Sequence, residues 1–294
     1  MHAPEPNPPV PPPQGQAPGT QADWLAWAIK SLRRDSDSAK ADAEILLSEL
    51  LGCNRAGLLL RAGEALCADT ALRYAASIER RRLGEPVAYL CGRREFWSLE
   101  LSVSPAVLVP RPDTELLVEW SLQLLQGQGV PSIADLGTGS GAIALALAQE
   151  RPDARVVATD LSTEALDQAR YNARSLRLER VSFRHGDWLE ALGGERYRLI
   201  VSNPPYIAEG DPHLAALRYE PRQALVSGAD GLTALRRIAA QAQQHLEPGA
   251  PLLLEHGAAQ GEAVRALLQA HDYRAVETRR DLGGMERATV GFNL

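Results

Sequence analysis

The stretch that decides the fold is SIADLGTGSGAIALALAQE, Ser132 to Glu150. An apolar run ends at Asp135, a glycine-rich turn (Gly137, Thr138, Gly139, Ser140, Gly141) follows, and Ala142 opens a run of alanines and leucines. Glycines at such a strand-to-helix turn let the backbone approach a ligand closely, and the helix start beyond them offers unpaired N–H groups. A second apolar run, ARVVATD, ends at Asp160, 19 residues after Gly141. A carboxylate there can accept from both hydroxyls of a ribose. The loop therefore predicts a nucleoside-bearing cofactor. Gly137, Gly139 and Ala142 also satisfy GxGxxG/A, which keeps a nicotinamide dinucleotide, and hence an oxidoreductase, open. Asp135 bears on that choice. A carboxylate beside a pyrophosphate repels; beside a cationic cofactor it attracts.

Outward from this loop, strand and helix patterns alternate. After SIADLG and ARVVATD come the apolar strands VSFRHGDW, RLIVSNPPY and PLLLEHG, with helical stretches such as TEALDQARYNARSL and LTALRRIAAQAQQHL between them. YRAVETRRD and RATVGF can pair as the last two strands. This rhythm predicts an α/β domain with a mostly parallel sheet covered on both faces. Upstream, residues 21–92 read as a small all-α domain. Trp24, Leu25, Ala28 and Leu32 share one helical face, Asp37 or Ser38 caps a second helix that Gly52 stops, and a third ends at Gly84 and Pro86. Residues 93–113, with period-two alternation in REFWSLELSVS and prolines at 110 and 112, form a hairpin-like connector to a domain spanning 114–294.

Asn203-Pro204-Pro205-Tyr206 follows the apolar strand that includes Leu199 and Val201, so it should face the same crevice as the glycine loop. Two prolines fix the backbone, hold Asn203 extended and bring no N–H to compete for acceptors. The Asn203 side-chain oxygen and the Pro204 carbonyl then suit a planar amino group, whose delocalised lone pair makes it a poor nucleophile. Two acceptors can hold its two hydrogens and aim the nitrogen at an electrophilic methyl group, with Tyr206 packed on the plane.

At this point the sequence resembles the release-factor glutamine methyltransferase family (the HemK/PrmC group) of class I S-adenosylmethionine-dependent methyltransferases. The resemblance spans residues 22–294 and rests on EPVAYLCGRREFWSLELSVSPAVLVPRPDTELLVE (Glu85–Glu119), ADLGTGSGAIALALA and IVSNPPYI. Arg111-Pro112-Asp113-Thr114-Glu115 favours the release-factor branch over the relative that methylates a ribosomal-protein glutamine. The resemblance implies a Rossmann-like seven-stranded methyltransferase domain preceded by a small all-α N-terminal domain that docks the substrate. It implies that Asp135, the Gly137–Gly141 loop, Asp160, Asp187, Trp188 and Asn203 bind S-adenosylmethionine. Asn203, Pro204, Pro205 and Tyr206 would bind the substrate, with Asn203, Pro204 and Tyr206 serving catalysis. The implied reaction is N5-methylation of the GGQ-motif glutamine of peptide chain release factors.

Composition narrows the rivals. The 294 residues carry 31 Lys+Arg against 37 Asp+Glu, a formal charge of −6. A duplex binder is more often basic, because phosphate neutralisation supplies most of that affinity, so stable DNA binding is not expected. A nucleic-acid amino methyltransferase and a non-catalytic binding module remain the alternatives. Three scattered cysteines form no CxxC pair, and the histidines lack metal-ligand spacing. No apolar stretch approaches membrane-spanning length and no secretory leader is visible, so a cytoplasmic protein is expected, with no membrane partner. A monomer acting on a large partner is the simplest assembly. Residues 1–20 hold eight of the 20 prolines and read as a disordered tail. Arg80–Arg82 and Arg93–Arg94 read as solvated, His256 and Glu255 as structural, and Glu220 as a candidate shaper of the site.

Overall fold

The computed structural model describes residues 19–294, which divide into two compact units at Gly92 and Arg93. In the first, α1 (Gln21–Leu32) begins with a capping box. The Thr20 hydroxyl accepts from the Asp23 N–H, and the Asp23 carboxylate accepts from the Thr20 N–H. Gly19 and Thr20 thus belong to the helical unit and correct the reading that the tail runs to residue 20; the rest of that tail lies outside the described residues. The unit continues with α2 (Ala39–Leu51), α3 (Arg55–Leu60), α4 (Ala68–Arg82) and α5 (Val87–Cys91). Gly52 stops α2 in the left-handed region at φ 60°, as its position predicts. Ser38 stands at the cap position of α2, but its hydroxyl donates to Asp42 at 2.8 Å. The six-residue α3 is too short to show a period, and the Asn54 side chain that caps it is its one local signal.

Trp24, Ala28, Leu32, Leu46, Leu47 and Tyr74 close the helical core, and the Tyr74 hydroxyl donates to the Ala43 carbonyl at 2.9 Å. The arginine run of α4 makes ion pairs within the unit. Arg80 meets Glu85, Arg81 meets the buried Asp42 at 2.7 Å, and Arg82 meets Glu79 at 2.7 Å.

The second unit opens with an antiparallel hairpin, β1 (Arg93–Phe96) and β2 (Leu99–Ser102). Trp97 and Ser98 turn it with φ of 51° and 59°, the positive pair that two-residue hairpins need. A 3₁₀ turn at Pro112–Thr114 leads into α6 (Glu115–Leu124). The remaining strands and α-helices are β3 (Ser132–Leu136), α7 (Ala142–Glu150), β4 (Arg155–Asp160), α8 (Thr163–Ser175), β5 (Ser182–His185), β6 (Leu199–Ser202), α9 (Thr233–Ala242), β7 (Pro251–Glu255), α10 (Gly261–Ala270), β8 (Arg274–Arg280) and β9 (Glu286–Phe292).

All seven predicted strands join one sheet in the order β5-β4-β3-β6-β7-β9-β8. β3 to β7 run parallel, and β9 lies antiparallel to both neighbours. Successive strand residues feed opposite cores: Leu199, Val201 and Leu253 pack with α6 and α7, whereas Ile200, Leu252 and Leu254 pack with α9 and α10. Burial on both faces accounts for the continuous apolar runs in the sequence. The chain leaves β3 towards β4 and β5 on one side and returns at β6 on the other, so the carboxyl ends of β3 and β6 bound the crevice at the switch point.

Candidate active site

The β3–α7 loop shapes the first wall. Gly137, Gly139 and Gly141 all hold positive φ (70°, 56° and 87°), which side-chain-bearing residues resist. A Cβ on Gly137 would stand 2.9 Å from the Trp188 ring, whereas one on Gly139 would meet nothing within 4 Å. Gly139 thus offers bare backbone to the crevice, and Trp188 covers Gly137.

Asp160, at the end of β4, reaches across to this loop. Its Oδ2 accepts from the Gly139 N–H at 2.9 Å and its Oδ1 from the Ser162 N–H at 2.9 Å. Burial raises its pKa, and these two N–H groups oppose the rise. Each oxygen keeps a lone pair, so the carboxylate can both hold the loop and accept from a ribose.

Asp135 lies beneath the loop. It is fully buried, and its Oδ2 accepts from the Thr138 hydroxyl at 2.7 Å and the Ala144 N–H at 3.2 Å. Its Oδ1 is buried without a partner, and burial pushes its pKa up to about 7 against those two hydrogen bonds, with the Asp160 charge adding to the rise. Such an acid bears on the crevice through its field and by bracing the loop; it does not line the wall. Thr138 and Ser140 are likewise buried and support the turn. The Thr138 N–H donates to the Thr159 carbonyl, and the Ser140 carbonyl accepts from the Asn172 side chain at 2.9 Å.

Gly137, Gly139, Asp160, Asp187, Trp188, Asn203 and Pro205 line one cleft of about 750 Å³, counting its open mouth. Ala106–Leu108, Pro221, Gln223 and Ala224 also line it. Asp187 accepts from Arg237, whose other nitrogen donates to Glu190 at 2.8 Å.

At the β6 end, the Asn203 Nδ2 donates to the Thr114 hydroxyl oxygen at 3.1 Å. Among the described residues neither the Asn203 Oδ1 nor the Pro204 carbonyl accepts a hydrogen bond. Two acceptors therefore remain beside the cleft. Pro204 is buried, and Tyr206 turns inward: its hydroxyl donates to Glu255 Oε1 at 3.3 Å and its carbonyl accepts from Gln260 at 3.0 Å. Tyr206 is not among the residues that line the cleft, and burial raises its pKa.

Sequence reasoning missed the residues that hold this loop, although their motif was in view. Each polar member of Arg111–Glu115 has a structural task. Arg111 pairs with the buried Glu220, which also accepts from the Val109 N–H at 3.0 Å. Asp113 meets Arg287 at 3.4 Å, Thr114 accepts from Asn203, and Glu115 accepts from the Trp97 N–H at 3.0 Å. Asn172 joins α8 to the first hairpin through both the N–H and the carbonyl of Ser102. His256, fully buried, sits between the Gly257 carbonyl and the Thr289 hydroxyl, and burial lowers its pKa.

A seven-stranded sheet with this order, a glycine turn after its first strand and an acid closing its second define a class I S-adenosylmethionine-dependent methyltransferase. The residues fit that cofactor: an acid pair at the loop suits a cation, and Asp160 suits a ribose. Residues 23–92 match the PrmC N-terminal domain and residues 114–230 the methyltransferase small domain. The release factor glutamine methyltransferase of Xylella fastidiosa (strain Temecula1) is 54% identical over 254 residues, covering 86% of this chain and 92% of that protein. That of Escherichia coli (strain K12) is 47% identical over 270 residues, covering 91% and 97%. The chain belongs to the release factor glutamine methyltransferase family. Among solved structures, the Thermus thermophilus 16S rRNA N2 G1207 methyltransferase shares the fold at a TM-score of 0.52 and 21% identity, covering 69% of this chain and 50% of that one. A methyltransferase from Pyrococcus furiosus does so at 0.50 and 18%, covering 67% and 90%.

Proposed function

We propose that the protein methylates the side-chain amide nitrogen (N5) of the GGQ-loop glutamine in peptide chain release factors. The observation that carries this reading is the pair of unengaged acceptors, Asn203 Oδ1 and the Pro204 carbonyl, beside a cleft with a glycine loop. The relatives named as release factor glutamine methyltransferases support the choice of substrate. S-adenosylmethionine supplies an electrophilic methyl group on a sulfonium. Gly137, Gly139, Asp160, Asp187 and Trp188 would hold it, and Asp135 would favour its cationic end. Asn203 and Pro204 would each take one amide hydrogen, holding the nitrogen in place and favouring tetrahedral character as the N–C bond forms and the S–C bond breaks. The methylated nitrogen sheds one proton, which acidifies as alkylation proceeds, so no strong base is needed. Pro205 and Tyr206 keep the loop rigid.

The α1–α5 unit docks the release factor, and the protein acts as a monomer in the cytoplasm. No described helix is long and apolar enough to cross a membrane. A charge of −6 suits a protein glutamine better than a nucleobase in a phosphate backbone. The test is a release factor incubated with methyl-labelled cofactor and mapped by mass spectrometry. Label on the GGQ glutamine, lost when that glutamine is replaced by alanine, is expected; label elsewhere or none would overturn the reading.

A further inference from the structure

The Asn203 amide is useful only one way round. Its oxygen accepts from an amino group, but its nitrogen would meet that group donor to donor. Which end faces the cleft is set by its partner on the other side, and that partner is Thr114. A hydroxyl carries one proton and two lone pairs, so it accepts from Asn203 Nδ2 while its own proton goes elsewhere. The acceptor within its reach is the Glu255 carboxylate, whose pKa the Thr114 hydroxyl lowers. Glu255 closes β7 and is fully buried, with the Tyr206 hydroxyl on Oε1 and no partner on Oε2.

We propose that Thr114, lying between Asn203 and Glu255, is a positioning residue that keeps the Asn203 oxygen towards the cleft, and that it does so only while Glu255 is ionised. The proposal rests on the glutamine-methylation reading above. With a carboxylate at 255, the Thr114 proton points to Glu255 and its lone pair takes the Asn203 N–H. With a carboxylic acid there, Glu255 donates to one Thr114 lone pair, the Thr114 proton loses its acceptor on that side and turns to the Asn203 oxygen, and the amide reverses. The cleft then offers two N–H groups where the substrate also brings N–H.

The surroundings put this change within reach of neutral pH. Burial pushes the Glu255 pKa up to about 7, and Asp113 in the 3₁₀ turn adds to the rise. Against it act the Thr114 hydroxyl, the Arg287 guanidinium on β9 and the Tyr206 hydroxyl after β6. These are the charged and titratable groups facing Glu255; the neighbouring His256 ring turns to Gly257 and Thr289. Arg287 also meets Asp113 at 3.4 Å and Asp281 at 2.9 Å, so its charge is shared.

The experiment measures kcat at saturating cofactor and release factor from pH 5.5 to 8.5, with the cofactor Kd of each variant. The full-length wild-type enzyme should lose activity about tenfold per pH unit on the acid side of neutrality. Glu255→Gln, which keeps an acceptor and cannot ionise, should have a lower plateau but no acid limb between pH 5.5 and 8. Thr114→Val should lower kcat at least 30-fold with the cofactor Kd within twofold, and Thr114→Ser should recover most of that loss. Asp135 also titrates in this range, and the Glu255→Gln profile tells the two apart. An acid limb that persists in Glu255→Gln, or equal rates for Thr114→Val and Thr114→Ser, would overturn the proposal. Thr114→Ser and Glu255→Gln keep the test decisive if the valine variant does not fold. Absence of label on the glutamine with wild-type enzyme would instead refute the functional reading itself.

Discussion

Replacing Asn203 by alanine separates substrate orientation from cofactor binding. The substitution removes Oδ1, one of two acceptors at the β6 end, and leaves the Pro204 carbonyl, the Gly137–Gly141 turn and Asp160 in place. Losing one preorganised polar group at a reacting centre costs about 2.7–4 kcal/mol, or about 10²–10³ in kcat. The surviving carbonyl puts the expected loss near the lower end, about 10²-fold. In the folded protein the change deletes a single 3.1 Å hydrogen bond from Nδ2 to Thr114, at a half-buried position. That bond contributes about 1 kcal/mol, which in a domain of this size lowers Tm by about 2–4 °C. The cofactor Kd should change by less than about threefold, because the glycine wall and the ribose acid do not depend on Asn203. Single-turnover methylation of a release factor, with calorimetric titration of the cofactor and thermal melts, reads all three quantities. A kcat within fivefold of wild type, or a loss confined to cofactor affinity, would refute the orienting role.

Three further outcomes follow from the same geometry. Gly139→Ala places a methyl group in open space at a cleft-lining residue with φ of 56°, so stability should fall by about 1–2 kcal/mol while cofactor affinity falls at least tenfold by calorimetry. Asp135 has its folded pKa raised from 3.8 to about 7, so the proton it holds stabilises the cofactor-free fold below pH 3.8 and that contribution is lost as pH rises through 7. Asp135→Asn should therefore gain on wild type in urea midpoint from pH 4.5 to 7.5, and a constant difference would contradict the assignment. Glu220→Ala leaves the partly exposed Arg111 to water but strands the buried Val109 N–H, and an unsatisfied buried donor costs about 1–3 kcal/mol. The 106–108 wall should loosen with it, raising the KM for cofactor alongside a lower melting temperature.

The fold was legible because its signals are local and periodic. All seven strands of the sheet, the first hairpin and the three longer helices of the first unit stand in the sequence as apolar runs, alternation or helical faces. Among the α-helices the short α3 and α5, which leave no room for a period, escaped, as did the 3₁₀ turns. The cleft was legible where chemistry is concentrated in a few adjacent residues, as in the glycine loop and Asn203–Tyr206. Its support was not. Asn203 and Thr114 lie 89 positions apart, Arg111 and Glu220 109, and Tyr206 and Glu255 49. No short-range pattern announces such pairs. Burial also escaped the sequence: Asp135 reads as a loop acid and lies fully buried under the loop, and nothing in the sequence ties the Tyr206 hydroxyl to the buried Glu255.

On the proposed function, this cleft accepts a protein glutamine amide and not another planar amino group. The most direct measurement presents a release factor, duplex DNA and ribosomal RNA together, at equal concentration, to the enzyme with methyl-labelled S-adenosylmethionine, and maps where label settles. Label confined to the release factor, on its GGQ glutamine, is the expected result. Label on an adenine, cytosine or guanine nitrogen, with the release factor unmodified, would contradict it.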